Sequence, residues 1–282
     1  MPSMVTAGTG NVGVRCPAHE RAKALLQAAA VPVAAPSANR FSHVSPTRAE
    51  HVMADLGHHR ILVLRATESG CCDVGIESTV AKIDQAGRAL VILRRGGLPE
   101  TVLHEWMQRE GAEFVLKQPA DIGSSAPLAK VPQQAPGMLL THYSPDLPAF
   151  LLRLNSTARQ SMSSSSAQLP NDARGSLSVD HAVIIDFGGS AAAWASKCHA
   201  YRDLSPHSDA AVAAAAIFEA LRWAEGLHVN GARCVLLPSV LVPNSTAPVG
   251  LNSEYLPALA DRLYRAASGR VIGVAQDGML TP

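Results

Sequence analysis

The run HAVIIDF at residues 181–187 is the sequence feature that most constrains the fold of this chain. Its apolar residues are consecutive, several are β-branched, and Gly188 and Gly189 follow them, which is typical of a buried strand that ends at a turn. The patterns on either side alternate in type: a strand at 149–154 before it, and after it a helix, a strand at 201–204, a helix at 209–225, a strand at 234–238 and a helix at 253–267. This alternation predicts a Rossmann-like α/β domain over residues 147–282.

Residues 1–118 carry a similar mixture of strand-like and helical patterns. Strands are predicted at 11–16, 31–35, 60–65, 78–84 and 89–93, and helices at 18–29 and 100–110. Another helix is predicted to begin near Thr47, which fits a capping box with Glu50, while Ser45 before Pro46 is the competing cap. The segment 119–146 is rich in Pro, Ala, Ser and Gln, so we interpret it as a linker between two α/β domains.

Composition limits the possible partners. The chain has 282 residues, 47% of them apolar, and a formal net charge of +1, so both parts are large enough to bury a core and no strong field attracts nucleic acid. We therefore expect no stable, sequence-independent RNA binding. The five cysteines lack the paired spacing of a zinc site, which favours reduced thiols in a cytoplasmic protein. No leader pattern and no bilayer-length apolar run is apparent, so no membrane partner is expected.

Three polar motifs lie in loops punctuated by glycine and proline: VAAPSANRFSHVSPT at 33–47, GIESTV at 75–80 and LRRGG at 93–97. Ser37 and Asn39 follow Pro36, whose fixed φ limits how the turn opens, so both side chains can point at one target such as a phosphate. Ordinary turn chemistry explains the same residues. Both interpretations stay open from these residues alone.

Charged residues within and before these motifs are further candidates for binding a ligand. Arg15 leaves an otherwise apolar strand pattern, which fits either an internal ion pair or a bound carboxylate or phosphate. Arg94 and Arg95 precede two glycines and should point to opposite faces of a strand. Glu77 fits a general base, but we favour a carboxylate that orients neighbouring loops.

The ordered set of PSAN, SPT, GIESTV, ILRRGG, PGM, HYSP and DRLYRAA resembles the two-domain form of the threonylcarbamoyl-AMP synthase family, which has a YrdC-like domain. The resemblance implies a truncated YrdC-like twisted-sheet α/β domain over 1–118, a linker or lid, and a smaller Rossmann-like α/β domain. It also implies that L-threonine, bicarbonate and ATP are joined into threonylcarbamoyl-AMP and pyrophosphate, for N6-threonylcarbamoyladenosine modification of tRNA. The expected cofactor is Mg²⁺ together with ATP as substrate. Separate proteins are expected to carry out the transfer to tRNA, so this chain itself needs at most a weak contact with RNA.

The resemblance also assigns site residues. It implies catalytic positions at Ser37 and Asn39 and no protein ligands for a resident metal. The L-threonine residues implied are Arg15, Ala35 and Ser78, and the ATP residues are Asn11, Ser37, Ser45, Arg94 and Tyr143. Asn11 stands where the family commonly has Thr or Ser, although an amide still donates to phosphate. Tyr143 is expected to close over the nucleotide as part of a lid, or alternatively to act as a packing anchor between domains.

The departure from the family lies before Arg15. Family members carry an amino-terminal part of the catalytic domain there, with a Lys-x-Arg pair, and this pattern does not occur in the chain. Each preorganised charged donor lowers the activation barrier by on the order of 3 kcal/mol. Loss of both is therefore expected to slow the reaction by roughly four decades. An exposed sheet edge and an uncovered apolar face are expected as well. The alternative function is therefore a truncated, catalytically inactive nucleotide-binding or interaction module.

Overall fold

The computed structural model describes residues 3–65, 74–86, 88–111, 113–117, 135–153, 178–240, 251–274 and 280–281. Within these residues the chain forms a mixed α/β structure with two sheets. None of the helices in these ranges has the length and hydropathy needed to cross a bilayer.

The larger sheet confirms the parallel α/β pattern predicted for the second half of the chain. Its strands are β4 (Ala149–Arg153), β5 (Ala182–Asp186), β6 (Ala200–Asp203), β7 (Cys234–Pro238), β8 (Val271–Val274) and β9 (Leu280–Thr281). They lie in the order β6-β5-β7-β4-β8-β9, and all neighbours are parallel except the antiparallel pair β8 and β9. Strands β5 and β7 are buried along their whole length, which explains their continuous apolar sequence.

Two helices cover one face of this sheet. They are α5 (Ala210–Gly226) and α6 (Leu256–Ala266), and their alanines and leucines pack with the β5 side chains Val183 and Ile185. Ile184 points to the opposite face, where it packs in a second apolar cluster. The predicted helix start at Asp209 is confirmed, because the Asp209 carboxylate accepts hydrogen bonds from two backbone N–H groups of the first turn of α5.

The smaller sheet has three strands in the order β1-β2-β3: β1 (Val80–Asp84), β2 (Ala89–Arg94) and β3 (Val115–Lys117). Strands β1 and β2 are antiparallel, whereas β2 and β3 are parallel. Helix α4 (Glu100–Arg109) connects β2 to β3. The first two strands and the helix match the predictions within two residues, but the three-residue β3 was not predicted.

The predictions of strands at 11–16, 31–35 and 60–65 are wrong for this structure, because none of these residues pairs with a sheet. Their apolar side chains lie in solvent: Val14 is 89% exposed and Leu62 is 88% exposed. An apolar run becomes a strand only when a neighbouring strand accepts its backbone hydrogen bonds. The expectation of uncovered apolar surface in this region is thus met.

The helices of the first 65 residues are α1 (Ser3–Thr6), α2 (Glu20–Ala29) and α3 (Ala49–Leu56). Helix α2 confirms the prediction at 18–29, although it buries none of its residues. The predicted capping box of α3 is wrong, because the cap position is Arg48 and carries no capping hydrogen bond. The Thr47 hydroxyl lies 3.2 Å from His51 Nδ1 instead, so it contacts a histidine side chain of α3 and does not cap the helix.

Other predictions differ in detail or fall outside the described residues. The predicted helix after Gly189 is a single 3-10 turn, Ala192–Trp194, and the helix at 253–267 begins as a 3-10 turn, Ser253–Tyr255, before α6. Strands β8 and β9 were not predicted. Most of the linker, residues 119–134, lies outside the described residues, as do residues 154–177 and the adjacent cysteines Cys71 and Cys72.

Candidate active site

Glu77 is the centre of a polar junction between the two halves of the chain. Its Oε1 accepts a hydrogen bond from Ser45 Oγ at 2.7 Å, and its Oε2 accepts one from Arg262 Nε at 2.9 Å. Burial opposes the charge of Glu77, but Arg262 and the Ser45 hydroxyl outweigh it and hold the pKa below its ordinary value. An ionised carboxylate can only accept hydrogen bonds, so the carboxylate orients both partners.

Arg262 reaches this junction from helix α6 of the second domain. Its side chain is fully buried. Besides Glu77, it donates to Asp261 Oδ2 and to the Arg95 carbonyl, both at 2.9 Å. The guanidinium carbon lies 5.1 Å from the centre of the Tyr143 ring, a cation–π arrangement. Burial disfavours the charged form of Arg262, but its acidic neighbours outweigh that cost and raise its pKa.

Arg94, at the end of β2, ties the same region to the linker. It donates to the Ser78 carbonyl at 2.8 and 3.2 Å and to the Pro136 carbonyl at 3.0 Å. Burial lowers the pKa of Arg94, since the guanidinium loses solvation. The neighbouring Arg95 instead donates to Glu100 on α4 at 2.7 Å. The two arginines thus serve different contacts.

Tyr143 is packed where the linker crosses this junction. Only 1% of the residue is exposed, and its ring centre lies 5.3 Å from that of Phe218 on α5. Gly137, at a φ of +82°, lets the linker pass, because a Cβ there would overlap the Tyr143 hydroxyl. That hydroxyl is buried and makes no hydrogen bond of standard geometry among the described residues, but it interacts with the Arg94 guanidinium. In this conformation Tyr143 is a packing anchor whose hydroxyl lies beside a cationic side chain.

A second polar cluster joins the segment after Asn39 to helix α5. His43 Nδ1 lies 3.0 Å from Asp55 Oδ2, and its Nε2 lies 2.8 Å from Glu225 Oε1. Arg222 donates to both oxygens of Asp55, at 3.1 and 2.8 Å, and also to the Val44 carbonyl. These contacts, made by buried side chains, fix the loop that carries Ser45 against the second domain.

His43, Asp146 and Glu225 have ligand atoms within 4.8 Å of one another, as a metal site requires. However, the Arg40 guanidinium lies 2.9 Å from His43 Nε2 and donates to Asp146 at 2.7 Å. A cationic side chain therefore already neutralises the group, and a nitrogen ligand is unlike the all-oxygen shell that Mg²⁺ prefers. These residues do not fit a resident magnesium ion.

The structure brings together four of the residues implied by the motifs: Ser45, Ser78, Arg94 and Tyr143. Asn39 lies near them in the second cluster, where its amide nitrogen donates to the carbonyls of Arg40 and His43, both at 3.0 Å. Its Oδ1 is buried without a partner among the described residues.

The other implied residues do not join the junction. Arg15, Ala35 and Ser37 are exposed, and within the described ranges none of them makes a hydrogen bond or ion pair to it. The amide of Asn11 donates to the Thr9 carbonyl at 3.3 Å. The strands expected to carry Arg15 and Ala35 are not formed, which explains why these side chains are not brought to the cluster.

Sequence reasoning missed the ion-pair role of Arg262 at the junction and the members of the second cluster, Arg222, Asp55 and His43. The available signal was the pair of arginines in DRLYR, which interrupt an otherwise apolar helix face. Glu77 was considered, and its two contacts match the interpretation as a carboxylate that orients loops.

The family assignment follows from two family models that together match most of the chain. Residues 1–96 match the family described as "Telomere recombination", whose name combines Sua5, YciO and YrdC. Residues 100–268 match "Threonylcarbamoyl-AMP synthase, C-terminal domain". The chain belongs to the threonylcarbamoyl-AMP synthase family. The predicted resemblance is thereby confirmed.

Curated members of the family match over about half of the chain. A threonylcarbamoyl-AMP synthase from Pyrococcus abyssi is 39% identical over 146 residues, and that from Bacillus subtilis is 35% identical over 144 residues. Each alignment covers 51% of this chain, but only 38% and 37% of the relative, so the match spans little more than a third of these relatives.

The fold is also similar to a solved structure of this family. The crystal structure of P. abyssi Sua5 complexed with L-threonine superposes with a TM-score of 0.65 at 27% identity, over 97% of this chain and 69% of that one. This likeness supports the two-part α/β architecture described above.

Proposed function

We propose that this chain acts in the synthesis of threonylcarbamoyl-AMP from L-threonine, bicarbonate and ATP, with release of pyrophosphate. The observation that carries the proposal is the convergence of the SPT, GIESTV, RRGG and HYSP motifs at one polar junction, in a chain of this family. The unpaired Oδ1 of Asn39 supports it, because buried atoms of this kind are rare unless a ligand or water pairs with them.

The proposed chemistry is nucleotidyl transfer. The carboxylate oxygen of N-carboxy-threonine attacks the α-phosphorus of ATP, the new P–O bond forms, and the bond to the departing pyrophosphate breaks. Ser37 and Asn39 are proposed to position the reacting groups, while Arg15, Ala35 and Ser78 hold L-threonine. Catalysis then rests on alignment and charge stabilisation, with no covalent enzyme intermediate.

On the nucleotide side, we propose roles for Asn11, Ser37, Ser45, Arg94 and Tyr143. Mg²⁺ is proposed to arrive with ATP as the substrate complex, which agrees with the poor fit of the His43 group to this ion. Proteins that transfer the threonylcarbamoyl group to tRNA are the proposed downstream partners, and the proposed location is the cytoplasm.

Release of pyrophosphate tests the proposal directly. The chain is incubated with MgATP and bicarbonate, with and without L-threonine, and threonine-dependent release is the expected result. Replacing Arg94→Ala should reduce the rate by about 10²-fold or more, because a preorganised charged donor is lost. Arg109→Ala is the matched control, since Arg109 is exposed and its ion pair among the described residues is with its neighbour Glu110. A rate that does not depend on threonine contradicts the proposal.

A second candidate function is a nucleotide-binding or interaction module without turnover. It is favoured by the exposure of Arg15, Ala35 and Ser37 away from the junction. Titration calorimetry with ATP and with threonine separates the two candidates. Binding of ATP without pyrophosphate release supports the module, whereas threonine-dependent turnover excludes it.

A further inference from the structure

We infer that Arg262 of the second domain is a positioning residue for the nucleotide site, acting through Glu77 on the hydroxyl of Ser45. This inference rests on the proposed function, because it assigns the Ser45 hydroxyl to the ATP side of the pocket. The three side chains form one continuous chain of contacts, Arg262 to Glu77 at 2.9 Å and Glu77 to Ser45 at 2.7 Å.

The first step concerns the rigidity of Arg262. Its guanidinium is fully buried, and separate nitrogens donate to Glu77, Asp261 and the Arg95 carbonyl. A planar group held by three acceptors has little freedom to rotate. Helix α6 therefore sets the position of Glu77 Oε2.

The second step concerns the polarity of the hydroxyl. The Ser45 hydroxyl has one proton, and it donates that proton to Glu77. What it presents to the pocket is therefore a pair of acceptor lone pairs, which suit a cation or an N–H or O–H donor and not an anionic phosphate oxygen. On the ATP side, such partners are the Mg²⁺ bound to the phosphates, the ribose hydroxyls and the adenine amino group.

The third step explains why the second domain matters. Ser45 is 8% exposed and belongs to a loop that is also held by Arg222 through the Val44 carbonyl. Without the hydrogen bond from Arg262, the Glu77 carboxylate is free to rotate. The Ser45 hydroxyl can then turn its proton away from Glu77 and towards the pocket. The second domain thus keeps the Ser45 hydroxyl in its acceptor orientation.

The first measurement is a double-mutant cycle on the affinity for MgATP, by titration calorimetry with the full chain. Arg262→Lys alone and Ser45→Ala alone should each weaken binding about tenfold, the effect of losing one hydrogen bond to a charged group. In the Ser45→Ala background, Arg262→Lys should have little further effect, because the group on which it acts is gone. Equal weakening in both backgrounds indicates a merely structural role and overturns the inference, and so does a wild-type chain that binds no MgATP.

The second measurement is amide hydrogen exchange without ligand, which does not depend on turnover. Arg262→Lys should accelerate exchange at residues 42–47 and 75–79 about tenfold, while strand β7 remains as in the wild type. Glu77→Gln should act on the same segments, so a folding defect of one variant leaves the test intact. Arg270→Lys is the matched control, because Arg270 lies beyond α6, stacks on Phe150 and does not contact Glu77.

The outcomes separate the inference from the proposed function. ATP affinity that follows the double-mutant cycle, without threonine-dependent pyrophosphate release, supports the inference and contradicts the proposed function. Threonine-dependent turnover, together with an ATP affinity that Arg262→Lys does not change, supports the proposed function and contradicts the inference. Uniformly faster exchange throughout the chain also overturns the inference, since it shows global destabilisation.

Discussion

Replacement of Arg222 by methionine is the substitution whose effect the structure defines most clearly. Arg222 lies on α5 with 8% of its side chain exposed, and it makes two hydrogen bonds to Asp55, whose side chain is 3% exposed. Methionine keeps the length and the helix propensity of arginine but removes the charge. Arg222→Met therefore leaves a buried carboxylate without its main cationic partner.

The expected loss of stability is about 3 kcal/mol, the lower end of the 3–5 kcal/mol typical of breaking a buried ion pair. The lower end applies because Asp55 keeps His43 at 3.0 Å and a hydrogen bond from the Arg40 backbone N–H at 3.3 Å. Burial opposes the charge of Asp55, but its hydrogen bonds from Arg222 and His43 outweigh this and hold the pKa of the carboxyl far below its ordinary value, so it is the charged form that loses a partner in Arg222→Met.

Urea unfolding followed by far-UV circular dichroism measures this loss at pH 7. Arg65→Met is the control, because Arg65 and its partner Glu50 are 74% and 58% exposed, and an exposed pair contributes less than about 1 kcal/mol. The double variant Asp55→Asn, Arg222→Met should recover part of the loss, since no unpaired charge remains buried.

A loss below about 1 kcal/mol for Arg222→Met, equal to that of the control, would refute the reasoning. The reasoning would also be refuted if adding Asp55→Asn to Arg222→Met lowered the stability by as much as Asp55→Asn does in the wild-type chain. Either result would mean that the carboxylate is not desolvated in the folded chain.

Two further predictions concern the contacts between the domains. Burial opposes the charge of His43, but its hydrogen bonds to Glu225 and Asp55 outweigh this and raise its pKa. The stabilisation that protonated His43 contributes should therefore be fully present below its ordinary pKa of about 6.5 and be lost as the pH rises through the raised pKa. Urea unfolding midpoints measured from pH 5.5 to 8.5 should fall accordingly, and His43→Gln should make them less dependent on pH. Gly75→Ala should cost at least about 2 kcal/mol in the same unfolding assay, because Gly75 has a φ of +72° and a Cβ would overlap the backbone of α5. Gly189→Ala, at a φ of +70° with open space around it, should cost only the backbone strain of about 1 kcal/mol, and equal losses for the two glycine variants would contradict the packing argument.

The sequence predicted the elements that are specified by a local signal, such as a helix cap, or by burial on both faces of the sheet. Strand β7 was predicted at its observed bounds, and α5 was predicted within one residue, because a continuous apolar run and a capping aspartate require little further information. The motifs of the candidate site were also visible in the sequence, and they led to the correct family.

What the sequence by itself determined was the type of each well-patterned element and the chemistry that its side chains offer. Only the tertiary structure decided which of those side chains meet. The runs around Arg15 and Ala35 have strand-like apolar patterns, yet without paired neighbours they remain exposed, since a strand is stabilised by backbone hydrogen bonds to another strand. Glu77 and Arg262 are 185 residues apart, and their ion pair forms because the fold brings helix α6 to the residue after β2, where Arg262 also donates to the Arg95 carbonyl. No local pattern specifies this long-range contact.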